Sequence, residues 1–193
     1  IYIGASRPAL VSAHLLVSQL NIVGILNVTK EVPFSVATLS CKNLMLHQIF
    51  IMDRPSEDIE KHFDAAFNFI DSCIANANTK NNVRNTKAGV FVHCQRGISR
   101  SATIVMAYAI FKGVPLQSIV DDIMRSRPQV KPNNGFWETL CNYELKRMGK
   151  NTVSLDYFSQ HQKINNHSSN VMEKRLVEIE KAKNNLPFEP TFI

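Results

Sequence analysis

A chain of 193 residues that is 45% hydrophobic has enough apolar material for one sizeable core,. Its 22 Lys and Arg outnumber 16 Asp and Glu without forming any block of five like charges; this argues against a nucleic-acid stripe and mildly favours anionic substrates. No apolar run approaches the roughly 20 residues that span a bilayer, and the first residues lack the features of a signal peptide. A soluble, unsecreted protein with neither membrane nor nucleic-acid partners is therefore expected.

The cysteines Cys41, Cys73, Cys94 and Cys141 form no CxxC pair, which speaks against zinc and against a disulfide scaffold. A reducing compartment, the cytoplasm or also the nucleus, fits such cysteine usage. The chain opens on Ile1 rather than Met, as expected of a piece of a longer protein.

In chain order, Tyr2-Ile3 reads as a short strand, and Ser6-Arg7-Pro8 as the start of a helix with Pro in its first turn. Leu10, Ala13, Val17 and Leu20 would be its buried stripe. Ile22 to Val28 is an apolar, β-branched run that predicts a buried strand, followed by a loop through Thr29 and Pro33. A further strand is expected within Asn43 to Ile51. Ser56, followed by Glu57 and Asp58, reads as an N-cap with acids in the first turn, ahead of Ile59, Phe63, Phe67, Ile70 and Ile74 at helical spacing. The polar stretch Asn76 to Lys87 predicts a loop, and Gly89 to His93 a strand.

Ala102 to Phe111 is apolar on all sides, as a fully buried central helix would be. Pro115 opens another helix with Leu116, Ile119, Val120 and Ile123 inward, and Phe136 to Met148 supplies one more. Strands alternating with helices imply an α/β fold, a mostly parallel sheet with helices on both faces. Past Gly149 the composition turns polar. Residues 149–193 are expected to be an extension to a domain of residues 1–148, with a charged helix over Val171 to Asn184.

The segment His93-Cys94-Gln95-Arg96-Gly97-Ile98-Ser99-Arg100-Ser101 carries the chemistry. A strand ending at Cys94, five loop residues centred on Gly97 and a helix opening at Arg100 would wrap backbone N–H groups around an anion at a helix N-terminus. Gly97 permits the conformation such a nest requires. Arg100 offers a planar fork for two oxygens of a phosphoryl group, and the same positive field should depress the pKa of Cys94. A thiolate facing phosphorus would attack it to give a cysteinyl-phosphate. Ser101 is placed to hydrogen-bond the departing sulfur, and His93 to bond the surrounding backbone and fix the loop. A Cys with Arg six positions on arises by chance about one time in five here; adding His, Gly and two flanking Ser lowers that to the order of one in a million.

These residues resemble the HCxxGxxRS signature of the cysteine-based phosphatases in their dual-specificity form. The likeness covers residues 1–148, through Tyr2-Ile3-Gly4, Ile25-Leu26-Asn27-Val28, Ala107-Tyr108, and Arg127-Pro128 to Asn134-Gly135-Phe136. Gln95, and Gly97 through Ile104, are most similar to the mitogen-activated protein kinase phosphatases, which typically have Ala where this chain has Arg96. The resemblance implies hydrolysis of phosphotyrosine and phosphoserine or phosphothreonine in proteins, without cofactor or metal. It places Gln95, Arg96, Gly97, Ile98, Ser99 and Arg100 around the phosphate, a phosphoprotein as partner, and a mitogen-activated protein kinase among the substrates.

The leaving oxygen needs a proton, and an Asp on a loop can donate it first and then act as base toward water. Asp53 fits, at the end of the Ile49–Met52 strand and ahead of the Ser56 cap. In the family the acid lies at such a point, about forty residues before the cysteine. Asp58 and Asp64 are weaker rivals because both fall in the predicted helix. Asn134 resembles a position that orders the active-site loops, and reads equally well as a turn residue. Arg96 would face outward, toward a second anionic group or only toward solvent. Three other readings stay open: a phosphoinositide phosphatase, which the lack of Lys at Gln95 and Ile98 disfavours; an RNA triphosphatase, which the thin spread of charge disfavours; and an inactive phosphoprotein-binding module.

Overall fold

The apolar run Val90-Phe91-Val92 is buried along its whole length in the strand that organises the sheet. The computed structural model of the chain describes residues 1–79 and 88–157. Four parallel strands, β1 (Tyr2–Ala5), β2 (Ile22–Asn27), β3 (Met45–Gln48) and β4 (Gly89–Cys94), lie in the order β1-β4-β2-β3. The last strand in sequence is thus inserted between the first two. Cys94 pairs with Ala5, while Asn27 pairs with His93. The loops after β1 and β2 therefore flank the loop after β4, at the carboxyl ends where α/β sheets bind ligands.

Helices cover both faces. On one, α1 (Ser6–Val11) and α2 (Ala13–Leu20) bury Ala9 and Leu16 against Ile22, Ile25 and Phe91. On the other lie α4 (Phe63–Thr79) and α5 (Arg100–Phe111). Gly24 turns to that second face, where a Cβ would fall 2.3 Å from Cys73 Sγ. Ten of the twelve α5 residues are buried, as its all-round apolar sequence requires. α6 (Leu116–Ser126) and α7 (Asn134–Met148) pack on α5. Residues Ile1–Ser154 form one compact unit and Leu155–Ile193 a second; the helix expected over Val171 to Asn184 lies outside the described residues.

The local readings differ from the structure at several places. α4 continues through Thr79, so the loop expected over Asn76 to Lys87 is helical at its start, and residues 80–87 lie outside the described residues. The helix expected from Ser6 onward breaks at Ser12, whose φ of −132° and ψ of 29° are not helical. The break shifts the phase, so Ala9, Ala13 and Leu16 are buried while Leu20 is exposed. Ser56 is no N-cap, because the chain takes turns and a 3-10 segment (Glu60–His62) before α4 begins at Phe63. A short helix, α3 (Val36–Leu39), capped by Ser35 Oγ accepting from the Thr38 N–H, occupies a stretch past Pro33 to which the sequence assigns no element. The strand expected within Asn43 to Ile51 is four residues long.

The junction of α6 with α7 depends on a carboxylate. Pro115 at the N-cap of α6 has no side-chain acceptor to offer, and Glu144 of α7, fully buried, takes that role. Its Oε1 accepts from the Leu116 N–H (2.7 Å) and the Thr152 hydroxyl (2.7 Å), and its Oε2 from the Thr152 N–H (2.8 Å). Glu144→Ala leaves the buried Leu116 N–H and the part-buried Thr152 donors without this acceptor and is expected to lower the unfolding free energy by about 2–4 kcal/mol, measured by urea denaturation.

Candidate active site

β4 delivers Cys94 to the floor of a cleft of about 700 Å³, and the turn into α5 closes around it. The residue is 1% exposed. The Gly97 N–H donates to its sulfur at 3.2 Å and the Ser101 hydroxyl at 3.3 Å. Burial works against ionisation. The Ser101 hydroxyl, joined by the N–H groups of Ser101, Gly97 and Ile98, outweighs it and draws the thiol below its ordinary pKa,. The stabilising donors are thus hydrogen-bond groups of the loop and first helical turn, a more local cause than the field expected of Arg100. Burial pushes Cys73 up to about 11, and burial together with the nearby Glu144 carboxylate pushes Cys141 to the same range.

Gly97 has φ +68°, and a Cβ there would fall 2.3 Å from the Gly4 carbonyl carbon. Only glycine lets the loop pass this close to the end of β1. Gln95 and Arg96 are exposed on the cleft, and Ile98 is half-buried. Ser99, expected around the phosphate, spends its hydroxyl elsewhere. It donates to Asp53 Oδ1 at 2.7 Å and accepts from the Asn133 N–H at 3.2 Å. His93 is buried, with Nδ1 3.4 Å from the Cys94 carbonyl oxygen and its ring stacked on Phe91.

Arg100 is the buried cation of the site. Its Nη1 donates to Glu31 Oε2 at 2.7 Å and to the Ile51 carbonyl at 2.9 Å. The Nε edge, without a hydrogen-bond partner, lies 3.7 Å from Asp53 Oδ2. One arm of the fork is therefore fixed to protein, while the Nε edge makes no hydrogen bond. Partial burial opposes the charge of Glu31, and the Arg100 hydrogen bond overcomes it, holding the carboxylate below its usual range. The loop carrying Glu31 is shaped by Asn27, whose Oδ1 accepts from the Thr29 N–H (3.1 Å) and whose Nδ2 donates to the Val32 carbonyl (2.6 Å).

Asp53 lines the same cleft, on the loop after Ile51. Besides Ser99, its Oδ1 accepts from Asn133 Nδ2 at 2.9 Å. Asn133 also caps α7 through Oδ1, which accepts from the Phe136 N–H at 3.0 Å. The bonds expected of Asn134 thus belong to its neighbour: Asn134 is the first residue of α7, exposed at the cleft, whereas Asn133 holds the extended N-cap geometry that aims its side chain back at the loop. Asp58 lies outside the cleft lining, its Oδ1 accepting from the Lys61 N–H. Asp64 lies in the first turn of α4, also outside the cleft lining. Gly135 makes the approach possible, since a Cβ there would fall 1.9 Å from the Pro55 carbonyl oxygen. Sequence reasoning missed Glu31, Asn133 and Gly135. The Asn-Asn-Gly run signalled a turn, but nothing local named its partner 80 residues away.

A family model, "Dual specificity phosphatase, catalytic domain", matches residues 1–146. The chain belongs to that family. It is 31% identical over 142 residues to dual specificity protein phosphatase 18 of Mus musculus, covering 73% of this chain and 68% of that protein. Tyrosine-protein phosphatase YVH1 of Saccharomyces cerevisiae is 33% identical over 166 residues; the match covers 81% of this chain and 44% of the yeast protein, so the chain spans less than half of that relative. MAP kinase phosphatase with leucine-rich repeats protein 3 of Dictyostelium discoideum is 34% identical over 104 residues, 53% of this chain and 11% of that protein. Among solved structures, that of DUSP15 superposes with a TM-score of 0.60 at 28% identity, covering 74% of this chain and 81% of the other.

Two outcomes are expected from this geometry. Gly135→Ala forces the start of α7 away from Pro55 and so disturbs the Asn133–Asp53 contact; kcat on phosphopeptides should fall on the order of a hundredfold, read by steady-state kinetics. Burial holds His93 down at about 4, so the unfolded chain binds a proton below pH 6.5 that the folded one refuses. Stability should therefore rise with pH from about 4 to 6.5, at about 1.4 kcal/mol per pH unit from this residue. Urea denaturation at pH 7, 6 and 5 should show a shallower dependence in His93→Asn.

Proposed function

We propose that this chain is a dual-specificity protein phosphatase acting on phosphotyrosine and on phosphoserine or phosphothreonine through a cysteinyl-phosphate. The observation that carries the reading is the buried Cys94 sulfur, held below its ordinary pKa by loop N–H groups beside the half-committed Arg100 fork. In the first step Cys94 Sγ attacks phosphorus, the ester P–O bond breaks, and the Asp53 proton passes to the leaving oxygen. Next, water attacks phosphorus and gives its proton to Asp53, and the S–P bond breaks, returning the thiolate, whose charge the Ser101 hydroxyl stabilises. Arg100 and the loop N–H groups carry the phosphoryl charge throughout. The Ser99 and Asn133 contacts support Asp53 as the acid, since they hold its carboxyl over the same cleft.

The substrate is a phosphoprotein. Lys30, Arg54, Arg96, Arg100 and Lys131 line the cleft against only Glu31 and Asp53, an excess that favours a phosphorylated residue with further anionic groups beside it. A mitogen-activated protein kinase, consistent with the likeness around Gln95 to Ile104, is the first candidate to try. Among the described residues no helix is long and apolar enough to cross a membrane. A catalytic thiolate suits the cytoplasm or nucleus, where thiols stay reduced.

The test is phosphate release by wild type and Cys94→Ser from phosphotyrosine peptides, phosphothreonine peptides, phosphoinositides and 5′-triphosphate RNA. Turnover of both peptide classes by wild type alone is expected; turnover confined to inositol lipids or RNA would overturn the substrate class, and peptide binding without turnover the activity. Asp53→Ala should lose on the order of a hundredfold or more on phosphopeptides and much less on aryl phosphates with good leaving groups. An equal loss on both would exclude Asp53 as the acid.

A further inference from the structure

The N–H groups that face Cys94 are one end of peptide units whose other end is a carbonyl. A trans peptide is planar, so its C=O and N–H point in opposite directions, and whatever holds the oxygen aims the hydrogen. Every peptide bond among the described residues is trans. Around the loop the carbonyls meet an outer set of donors. The Ser6 N–H and hydroxyl reach the Gln95 carbonyl, each at 3.3 Å, and the Lys131 N–H donates to the Ile98 carbonyl at 3.0 Å. Between them stands one side chain. Arg127 donates from Nε to the Gly97 carbonyl at 2.9 Å and from Nη2 to the Arg96 carbonyl at 3.2 Å.

Those two carbonyls share their peptide planes with the N–H groups of Ile98 and Gly97, two of the donors that face the sulfur. We propose that Arg127 is a positioning residue of the reaction: by fixing the Arg96 and Gly97 carbonyls on the outside of the loop, it aims the Gly97 and Ile98 N–H groups at Cys94 and at the phosphoryl oxygens. Its place follows from the fold. Arg127 is the C-cap of α6, its own N–H bonded to the Ile123 carbonyl at 2.7 Å. α6 in turn is anchored at its start by Glu144. A guanidinium suits the task because its donors lie in one rigid plane and meet two successive carbonyls at once. Gly97, with its positive φ, is the flexible point between those two peptides, and there a second constraint has most to fix.

The inference rests on the cysteine-nucleophile reading, and the experiment separates the two. The rate of Cys94 alkylation by iodoacetamide is followed against pH in wild type, Arg127→Met and Arg127→Lys, beside kcat/KM on a phosphotyrosine peptide and a thermal melt. Ser101, Arg100, Asp53 and His93 are the same in all three proteins, and Lys keeps the charge of Arg127 while offering donors from one nitrogen in place of two. The alkylation midpoint should rise by about one pH unit in Arg127→Met and kcat/KM should fall about a hundredfold, with Arg127→Lys intermediate in both. A folded Arg127→Met with the wild-type midpoint and kcat/KM overturns the proposal, as does a variant that only melts earlier. Should Arg127→Met fail to fold, Arg127→Lys decides: a raised midpoint supports the proposal and an unchanged midpoint and kcat/KM overturn it. An ordinary thiol midpoint in the wild type would instead overturn the nucleophile reading itself.

Discussion

An anionic sulfur that has lost its water needs hydrogen-bond donors in place of it, since burying a charge without partners is prohibitively costly. Cys94 is buried to 1% exposure and still ionises more readily than a free thiol. That combination constrains the rest of the molecule. The donors come from a loop whose backbone turns the Gly97 and Ile98 N–H groups toward the sulfur, and such a loop is stable only if its carbonyls find partners outside. Inserting β4 between β1 and β2 meets the requirement on one side: Ser6 after β1 reaches the Gln95 carbonyl, and the Val28 N–H after β2 reaches the His93 carbonyl at 2.9 Å. The segment joining α6 to α7 meets it on the other, through Arg127 and Lys131.

Arg100 extends the same logic to a cation. A guanidinium 2% exposed requires a countercharge and acceptors,. Glu31 and the Ile51 carbonyl provide them at Nη1, which leaves Nε without a hydrogen bond, 3.7 Å from Asp53 Oδ2. The loops after β2 and β3, the Cys94 loop and the start of α7 are thereby linked through Glu31, Asp53, Ser99 and Asn133, by hydrogen bonds and by the Arg100–Asp53 ion pair. Gly135 matters to that network through the side chain it lacks, because any Cβ would collide with Pro55 and push the start of α7 away from the Asp53 loop. The acid candidate and the phosphate loop are held together before a substrate arrives, which suits electrostatic preorganisation.

The linear chain was most informative where chemistry and spacing are local. The phosphate loop is legible because Cys, Gly, Arg and Ser stand within nine residues and act through the backbone between them. The all-round apolar run from Ala102 announced a buried helix, and Ile22 to Val28 a buried strand, because uniform apolarity leaves few other options. Local signals misled where neighbouring backbone decided: Ser12 interrupts a stripe that is periodic on paper, and Ser56 carries a cap signature in a segment that takes turns and a 3-10 segment instead.

By itself, then, the sequence determined the class of fold and marked out a loop and a cysteine suited to an anion, since each rests on contacts between near neighbours. The tertiary structure alone decided which distant residues complete the site. Glu31 reaches Arg100 across 69 positions and Asn133 reaches Asp53 across 80, and no periodicity or spacing encodes such pairings. It also joined the Ser99 hydroxyl to Asp53 and placed Asn133, the neighbour of Asn134, against the same carboxylate. One step along the chain at a helix N-terminus changes whether a side chain points back at the preceding loop or out to solvent, and only the folded backbone fixes that direction.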